Sequence, residues 1–193
     1  MRCFTIAAAA VVVLALAPRP AQAQGFFVPF FGYDVGGNAG YCPSILSDCS
    51  VKRTAWGFDA GRLSRGVFGF EEDVSYAPDF FGSSPTYGAN SVLTLMSNLV
   101  VNVPAGPVRP YLSGGFGLMR TKVEPNLASL LSTDNMSFGF DIGGGVMIFL
   151  PSHMGVRVDY RNIRSASEMT IAGFTVPGQK LSFSRLAFGL VLH

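Results

Sequence analysis

A five-residue pattern, Gly–aromatic–Asp–x–Gly, constrains the fold more than any other feature of this chain. Successive side chains of a strand point to opposite faces, so each copy places Gly, Asp and Gly on one face and two apolar residues on the other. A soluble sheet would bury the apolar face, but here the acidic face carries the glycines and is narrow and enclosed. The pattern predicts a small barrel with lipid outside and a polar interior. The copies are Gly32-Tyr33-Asp34-Val35-Gly36, Gly57-Phe58-Asp59-Ala60-Gly61 and Gly139-Phe140-Asp141-Ile142-Gly143.

Residues 1–23 have the composition of an export signal. A basic start at Met1-Arg2 precedes an apolar stretch over 6–17 and the small-x-small site Ala21-Gln22-Ala23. The apolar stretch is shorter than the roughly 20 residues that a membrane-spanning helix needs. We therefore expect cleavage after Ala23 and a mature barrel domain over 24–193, with an uncleaved anchor as the alternative.

The composition indicates a surface that largely meets something other than water. Only 13% of the residues are charged and 49% are hydrophobic, whereas soluble domains carry about 25% charged residues. Loss of Arg2 and Arg19 with the signal reduces the 14 basic residues to 12, which equals the 12 acidic residues. A neutral mature chain gives no indication of a nucleic-acid-binding surface.

Apolar–polar alternation broken by turn residues predicts eight strands. Their connections alternate between short and long, as in an up-and-down transmembrane barrel. A helix bundle or a series of βαβ units would not give this alternation. The fold class predicted is therefore an all-β, eight-stranded antiparallel transmembrane β-barrel. The strands are predicted at 26–36, 54–63, 67–76, 91–103, 109–122, 136–150, 155–163 and 181–193, with long connections at 37–53, 77–90, 123–135 and 164–180.

With the Gly–Asp–Gly face inward, most strands place charged side chains inside the barrel. An eight-stranded barrel has a lumen just wide enough for side chains to fill, and an unpaired charge there carries a large desolvation cost. We therefore expect carboxylate–guanidinium pairs across the lumen, forming a packed plug with no open pore. The predicted interior network comprises Asp34, Asp59, Glu71, Asp73, Asp141, Asp159, Arg109, Arg157, Arg161 and Arg185.

The predicted outer face includes one acidic residue, Glu72, and several aromatic residues near the strand ends. Strict alternation points Glu72 at lipid, which is costly near the midplane, so a bulge or a position near the rim is expected there. Aromatic residues close to predicted strand ends are expected to form girdles at the water–lipid boundary. The girdle candidates are Tyr33, Tyr76, Phe80, Phe81, Tyr87 and Tyr160.

The mature chain keeps two cysteines, Cys42 and Cys49, within one predicted loop. An even pair in an exported chain predicts a disulfide, with two free thiols as the alternative. No metal site is expected here, because two thiols are too few ligands and neither histidine is near in sequence.

Together these features resemble the small outer-membrane β-barrel family that includes the OmpA transmembrane domain, OmpX and the Opacity proteins. The three repeats carry the resemblance, with the segments 70–81 and 110–117 and the alternating last strand. It covers essentially the whole mature chain. One departure is the end Leu190-Val191-Leu192-His193, since family members usually end in an aromatic residue, most often Phe.

The resemblance implies a stand-alone barrel in the outer membrane of a Gram-negative-type bacterium, reached by export. Its role would be structural or adhesin-like and would reside in the loops. The implied partners are outer-membrane lipid, the outer-membrane assembly machinery and a surface ligand of the long loops. No nucleic acid and no cofactor is expected.

Two other function classes remain as alternatives. A soluble lipocalin-like ligand-binding barrel also has eight strands, but its apolar face points inward. A lipid-modifying outer-membrane enzyme needs a nucleophile beside a general base at the membrane rim. The mature chain has only His153 and His193, both on the predicted short-turn side, and no Gly-x-Ser-x-Gly elbow. We therefore expect no catalytic residues.

Overall fold

The structure is a computed structural model that describes residues 24–36, 52–64, 66–80, 87–103, 105–125, 133–151, 153–166, 170–171, 174–175 and 180–193. Eight long strands and one two-stranded hairpin make up its regular structure. The strands are β1 (Gln24–Val35), β2 (Lys52–Leu63), β3 (Phe68–Pro78), β4 (Tyr87–Asn102), β5 (Val108–Pro125), β6 (Thr133–Phe149), β7 (Met154–Ser165), β8 (Thr170–Ile171), β9 (Phe174–Thr175) and β10 (Ser182–Leu192).

The eight long strands form a closed antiparallel barrel in the order β1-β10-β7-β6-β5-β4-β3-β2. Each strand pairs with its neighbour along the chain, and β10 closes the barrel against β1, where Asp34 lies opposite Arg185. The predicted eight-stranded antiparallel fold is therefore confirmed. The strands at the long connections extend further than predicted, so that β4 begins at Tyr87 and β6 at Thr133. The hairpin of β8 and β9 lies in a connection that the sequence analysis treated as loop.

The outer surface of the barrel is a belt of large apolar side chains. Phe31, Leu112, Ile142 and Phe188 are 57% to 69% exposed, although burial in the folded chain is the rule for such residues in a water-soluble core. A soluble ligand-binding barrel has the opposite orientation, with its apolar face inward. The surface of this barrel is therefore suited to hydrocarbon. Within the described residues, no helix has the length and apolar character needed to span a membrane.

The interior has three layers, of which only the middle one is charged. At the end that carries the long connections, a cluster that includes Phe80, Met119 and Phe183 fills the lumen. At the short-turn end, a second cluster includes Phe26, Leu63 and several other buried apolar residues. The expectation of a polar interior is therefore correct only for the middle of the barrel. Near the turn end of β1 both faces are apolar, so alternation alone could not separate inside from outside.

The predicted aromatic girdle is only partly present. Tyr33 and Tyr76 face outward near the long-connection ends of β1 and β3. Phe80, in contrast, is 1% exposed and packs inside against Phe183, with ring centroids 4.9 Å apart. Tyr160 faces outward in the middle of β7, away from either rim. Phe81 and the side chain of Tyr87 are outside the part of the chain that the structure describes.

Glu72 faces outward in the middle of β3, and neither expected explanation applies. The pairing of β3 with β2 and β4 is continuous through Glu72, so no bulge is present. The hydroxyl of Ser97, directly opposite on β4, donates to the carboxylate, with Oγ 2.9 and 2.8 Å from its two oxygens. A hydrogen bond to the neighbouring strand therefore partly offsets the cost of a carboxylate on the apolar belt.

Replacing Glu72 with Leu should stabilise the barrel in lipid vesicles by about 1 kcal/mol, because an acidic group on the lipid face is destabilising. Glu72→Gln keeps an acceptor for Ser97 and should lie between the parent and the Leu variant. Equilibrium unfolding in urea measures both. A lower stability of Glu72→Leu than of the parent would show that the carboxylate stabilises the folded barrel.

Candidate functional site

The charged middle layer of the lumen is the candidate functional site. Strand β7 is its main source, because the alternation of an extended strand points Arg157, Asp159 and Arg161 inward together. Facing them, Glu71 and Asp73 project inward from β3 by the same rule. Strand β3 is four strands from β7 in either direction around the barrel, so these groups meet across the full width of the lumen.

Arg157 binds three carboxylates and a tyrosine. Its Nη1 lies 2.8 Å from Glu71 Oε2 and its Nη2 lies 3.2 Å from Glu71 Oε1, a bidentate pair. The same guanidinium is 3.1 Å from Asp59 Oδ2 and 3.3 Å from Asp159 Oδ2. Its Nε donates to the Tyr111 hydroxyl at 2.6 Å. Each nitrogen of this buried cation therefore has a partner in the lumen.

Arg161, which lies two inward positions beyond Arg157 on β7, binds the Glu71 carboxylate as well. Its Nη2 donates to Glu71, and its Nε donates to Asp159 Oδ1 at 2.7 Å. Its Nη1 lies 3.5 Å from Asp141 Oδ2 and 3.6 Å from Asp73 Oδ2. Glu71 is thus shared by two arginines, which explains how a fully buried carboxylate is tolerated in this lumen.

Asn98 joins this network from β4. In the amide orientation that satisfies both neighbours, its oxygen accepts from Arg161 Nη1 at 2.7 Å and its nitrogen donates to Asp141 Oδ1 at 2.7 Å. Sequence reasoning assigned no role to Asn98 or to Tyr111. The alternation of the strands could have indicated both residues, since each lies on the same, inward-facing side of its strand as other buried polar residues.

Tyr111 bridges the charged layer and the apolar cluster at the turn end. Its hydroxyl donates to Asp159, and the Arg157 guanidinium carbon lies 4.7 Å from the centre of its ring. Gly145, on the neighbouring strand, leaves the space for this ring. A Cβ at Gly145 would lie 2.8 Å from the Tyr111 hydroxyl and 2.1 Å from the Val158 carbonyl oxygen. This close approach explains one of the inward glycines of β6.

A second ion pair lies closer to the long connections. Arg185 donates from Nε to Asp34 Oδ1 at 2.7 Å and from Nη2 to Asp34 Oδ2 at 3.0 Å. Its Nη1 donates to Ser75, whose hydroxyl is 2.5 Å from that of Thr94. Because Asp34 and Arg185 lie on β1 and β10, this pair bridges the seam at which the barrel closes.

The structure brings nearly all of the predicted interior charges together as ion pairs in the lumen, with Arg109 as the exception. Arg109 is only half-buried near the turn end, where its guanidinium carbon lies 4.9 Å from the centre of the Phe149 ring. Its Nε has no hydrogen-bond partner among the described residues. Placing Arg109 in the ion-pair network is therefore wrong, because its strand position is too far along the barrel axis from the carboxylates.

Cys42 and Cys49 lie outside the described residues, so the disulfide stays a prediction.

The layer is suited to holding opposite parts of the barrel wall together. Its arginines bind carboxylates on the opposite wall, and apolar clusters cover it from both ends. The described residues contain no group of three or more His, Cys, Asp or Glu side chains arranged to hold a metal ion. In the interior, where the effective dielectric is low, such a network specifies one arrangement of strands.

Arg157→Ala should lower the free energy of unfolding by about 3–5 kcal/mol, because it leaves buried carboxylates without their cation. Arg157→Lys keeps the charge but loses the bidentate geometry, so its loss should be smaller. Urea unfolding in lipid vesicles provides the measurement. Arg62→Ala, at an exposed position, is the matched control. An Arg157→Ala barrel as stable as this control would exclude a structural role for the network.

Comparison with solved structures shows the same fold at low sequence identity. Neisserial surface protein A (NspA) has a TM-score of 0.63 and 17% identity, covering 89% of this chain and 98% of that chain. Ail, the attachment invasion locus protein of Yersinia pestis, has a TM-score of 0.57 and 10% identity, covering 89% and 99%. A major outer membrane protein from Thermus thermophilus has a TM-score of 0.50 and 11% identity, covering 88% and 99%.

No curated protein matches the chain significantly. Residues 7–193 match the family described as outer membrane protein beta-barrel domain, which is nearly the whole sequence. The match agrees with the apolar outer belt and the closed eight-stranded barrel. The chain therefore belongs to the outer membrane protein beta-barrel domain family.

Proposed function

We propose that this outer-membrane barrel is a rigid, non-conducting and non-enzymatic frame that presents its long connections for contacts at the cell surface. Its role is structural or adhesin-like. The sealed, three-layered lumen carries this proposal. Within the described residues, apolar clusters and the charged layer occupy the lumen, which favours the surface segments as the place where partners bind.

The lumen is closed at both ends by apolar packing. Phe80 and Phe183 lie in the cluster below the long connections, and both are 1% exposed. Leu63 and Val191, also almost fully buried, belong to the cluster at the turn end. Conducting barrels have polar, water-filled lumens. These clusters support a closed barrel.

The connections differ at the two ends of the barrel. At one end, the strands are joined by residues 36–51, 79–86, 126–132 and 166–181; at the other end, residues 64–67, 103–107 and 150–153 suffice. Binding residues commonly lie on loops that a rigid scaffold positions. The names of the similar structures, a surface protein and an attachment invasion locus protein, agree with an adhesin-like role.

The location follows from the same features. The apolar belt supports insertion in outer-membrane lipid, with residues 1–23 as the export signal and the outer-membrane assembly machinery as the partner that inserts the strands. The host would be a bacterium of the Gram-negative type. Both histidines lie at the turn end, away from the long connections, which supports a role without general-base chemistry at the outer rim.

The barrel should form no ion channel when inserted in a planar lipid bilayer, because apolar side chains fill both ends of its lumen. Current recording after insertion of the folded protein measures this, with a porin in the same bilayer as the positive control. Steady conductance steps from the barrel would contradict the closed lumen.

Shortening the long connections should abolish adherence of the bacteria to cultured epithelial cells without unfolding the barrel. The variants replace 38–50, 81–86 or 126–131 with short Gly–Ser turns, and the matched control replaces 64–66 at the other end. Heat-modifiable migration on a denaturing gel checks folding. If every variant adheres as the parent does, the adhesin-like role is wrong and a structural role remains.

A further inference from the structure

The two histidines of the chain meet at the turn end of the barrel. His153 lies in the turn between β6 and β7, and His193 follows β10. Their ring centroids are 5.8 Å apart, with an interplanar angle of 63°. The backbone N–H of His193 donates to the His153 carbonyl oxygen at 3.0 Å, which fixes the two residues relative to each other. This pair takes no part in the charged layer.

The His193 ring has one nitrogen engaged and one without a partner. Its Nδ1 lies 2.6 Å from Nε2, the side-chain amide nitrogen of Gln24. Its Nε2 is buried and has no hydrogen-bond partner among the described residues. Buried polar atoms are nearly always satisfied, so this ring nitrogen is available to bind a further group.

The Gln24 contact can leave that nitrogen ready to bind a metal ion. The oxygen and nitrogen of an amide are interchangeable in such geometry. With the Gln24 amide turned so that its oxygen and not its nitrogen faces the ring, His193 Nδ1–H donates to that oxygen and His193 Nε2 keeps a free lone pair. Metal-binding histidines show this arrangement, in which the second ring nitrogen donates to an oxygen that sets the tautomer and ring orientation.

The spacing of the rings fits a shared ion. Zn–N bonds of about 2.0–2.1 Å place the centres of two imidazoles on one ion about 5–6 Å apart, and the observed separation is 5.8 Å. His153 has a φ of 60°, a left-handed conformation that histidine adopts more readily than most residues. Imidazole nitrogens suit Zn²⁺, Cu²⁺ and Ni²⁺.

We propose that His153 and His193 form a two-imidazole site for a transition-metal ion of the Zn²⁺ type, with Gln24 as a positioning residue. Among the described residues no third His, Cys, Asp or Glu completes the site, so the described chain supplies two ligands. Gln24 lies on β1, and His193 follows β10. The ion therefore links the β6–β7 turn to the seam that closes the barrel.

Calorimetric titration of the folded, untagged barrel in neutral detergent with ZnCl₂ tests this site. The parent should bind one ion. His193→Phe keeps an aromatic ring for the contact with Phe149, now 5.0 Å between centroids, but has no ring nitrogen. His153→Asn keeps a residue that tolerates the left-handed backbone. Both should bind about 100-fold more weakly or not at all, and Gln24→Leu about tenfold more weakly.

Folding of each variant is checked by heat-modifiable gel migration, and His153→Asn, on an exposed turn, decides the question if His193→Phe does not fold. A parent that binds none of Zn²⁺, Cu²⁺ and Ni²⁺ would overturn the site. So would His153→Asn and His193→Phe barrels that bind Zn²⁺ as tightly as the parent. Because the site is remote from the long connections, either result leaves the proposed surface role unaffected.

Discussion

The pairing of Glu71 with Arg157 and Arg161 is the interaction on which the rest of this barrel depends. Hydrocarbon surrounds the wall, so a charge inside cannot be solvated sideways and must find its partner within the lumen. Glu71 and Arg157 are 86 residues apart in sequence and project from opposite walls. Their contact therefore exists only when all the intervening strands have taken their places. Closure and charge pairing stabilise each other.

The two apolar clusters complete this arrangement. By covering the charged layer from above and below, they keep water from competing for the carboxylates and guanidinium groups, which strengthens each ion pair in a medium of low dielectric. The same packing is the basis for the proposal that the lumen conducts no ions. The proposed surface contacts and the proposed metal site accordingly lie at the two ends of the barrel, away from this charged centre.

The outer and inner faces were predictable wherever one face is apolar and the other polar. Strand β7 shows this best, since Arg157, Asp159 and Arg161 alternate with Val156, Val158 and Tyr160. The prediction failed where both faces are apolar or where the axial position matters. Phe80 lies inside rather than in a girdle, and Arg109 has the right phase but sits too near the turn end to reach a carboxylate.

The sequence by itself determined the number of long strands, their phase and most of the enclosed charges, because the two-residue period of a strand and the cost of burying an unpaired charge are local rules. Only the tertiary structure decided which charges pair, that apolar clusters close both ends, and that His153 approaches His193. These outcomes depend on the stagger of the strands around the closed barrel, which sets the height of each side chain along the axis and is not encoded by alternation within any one strand.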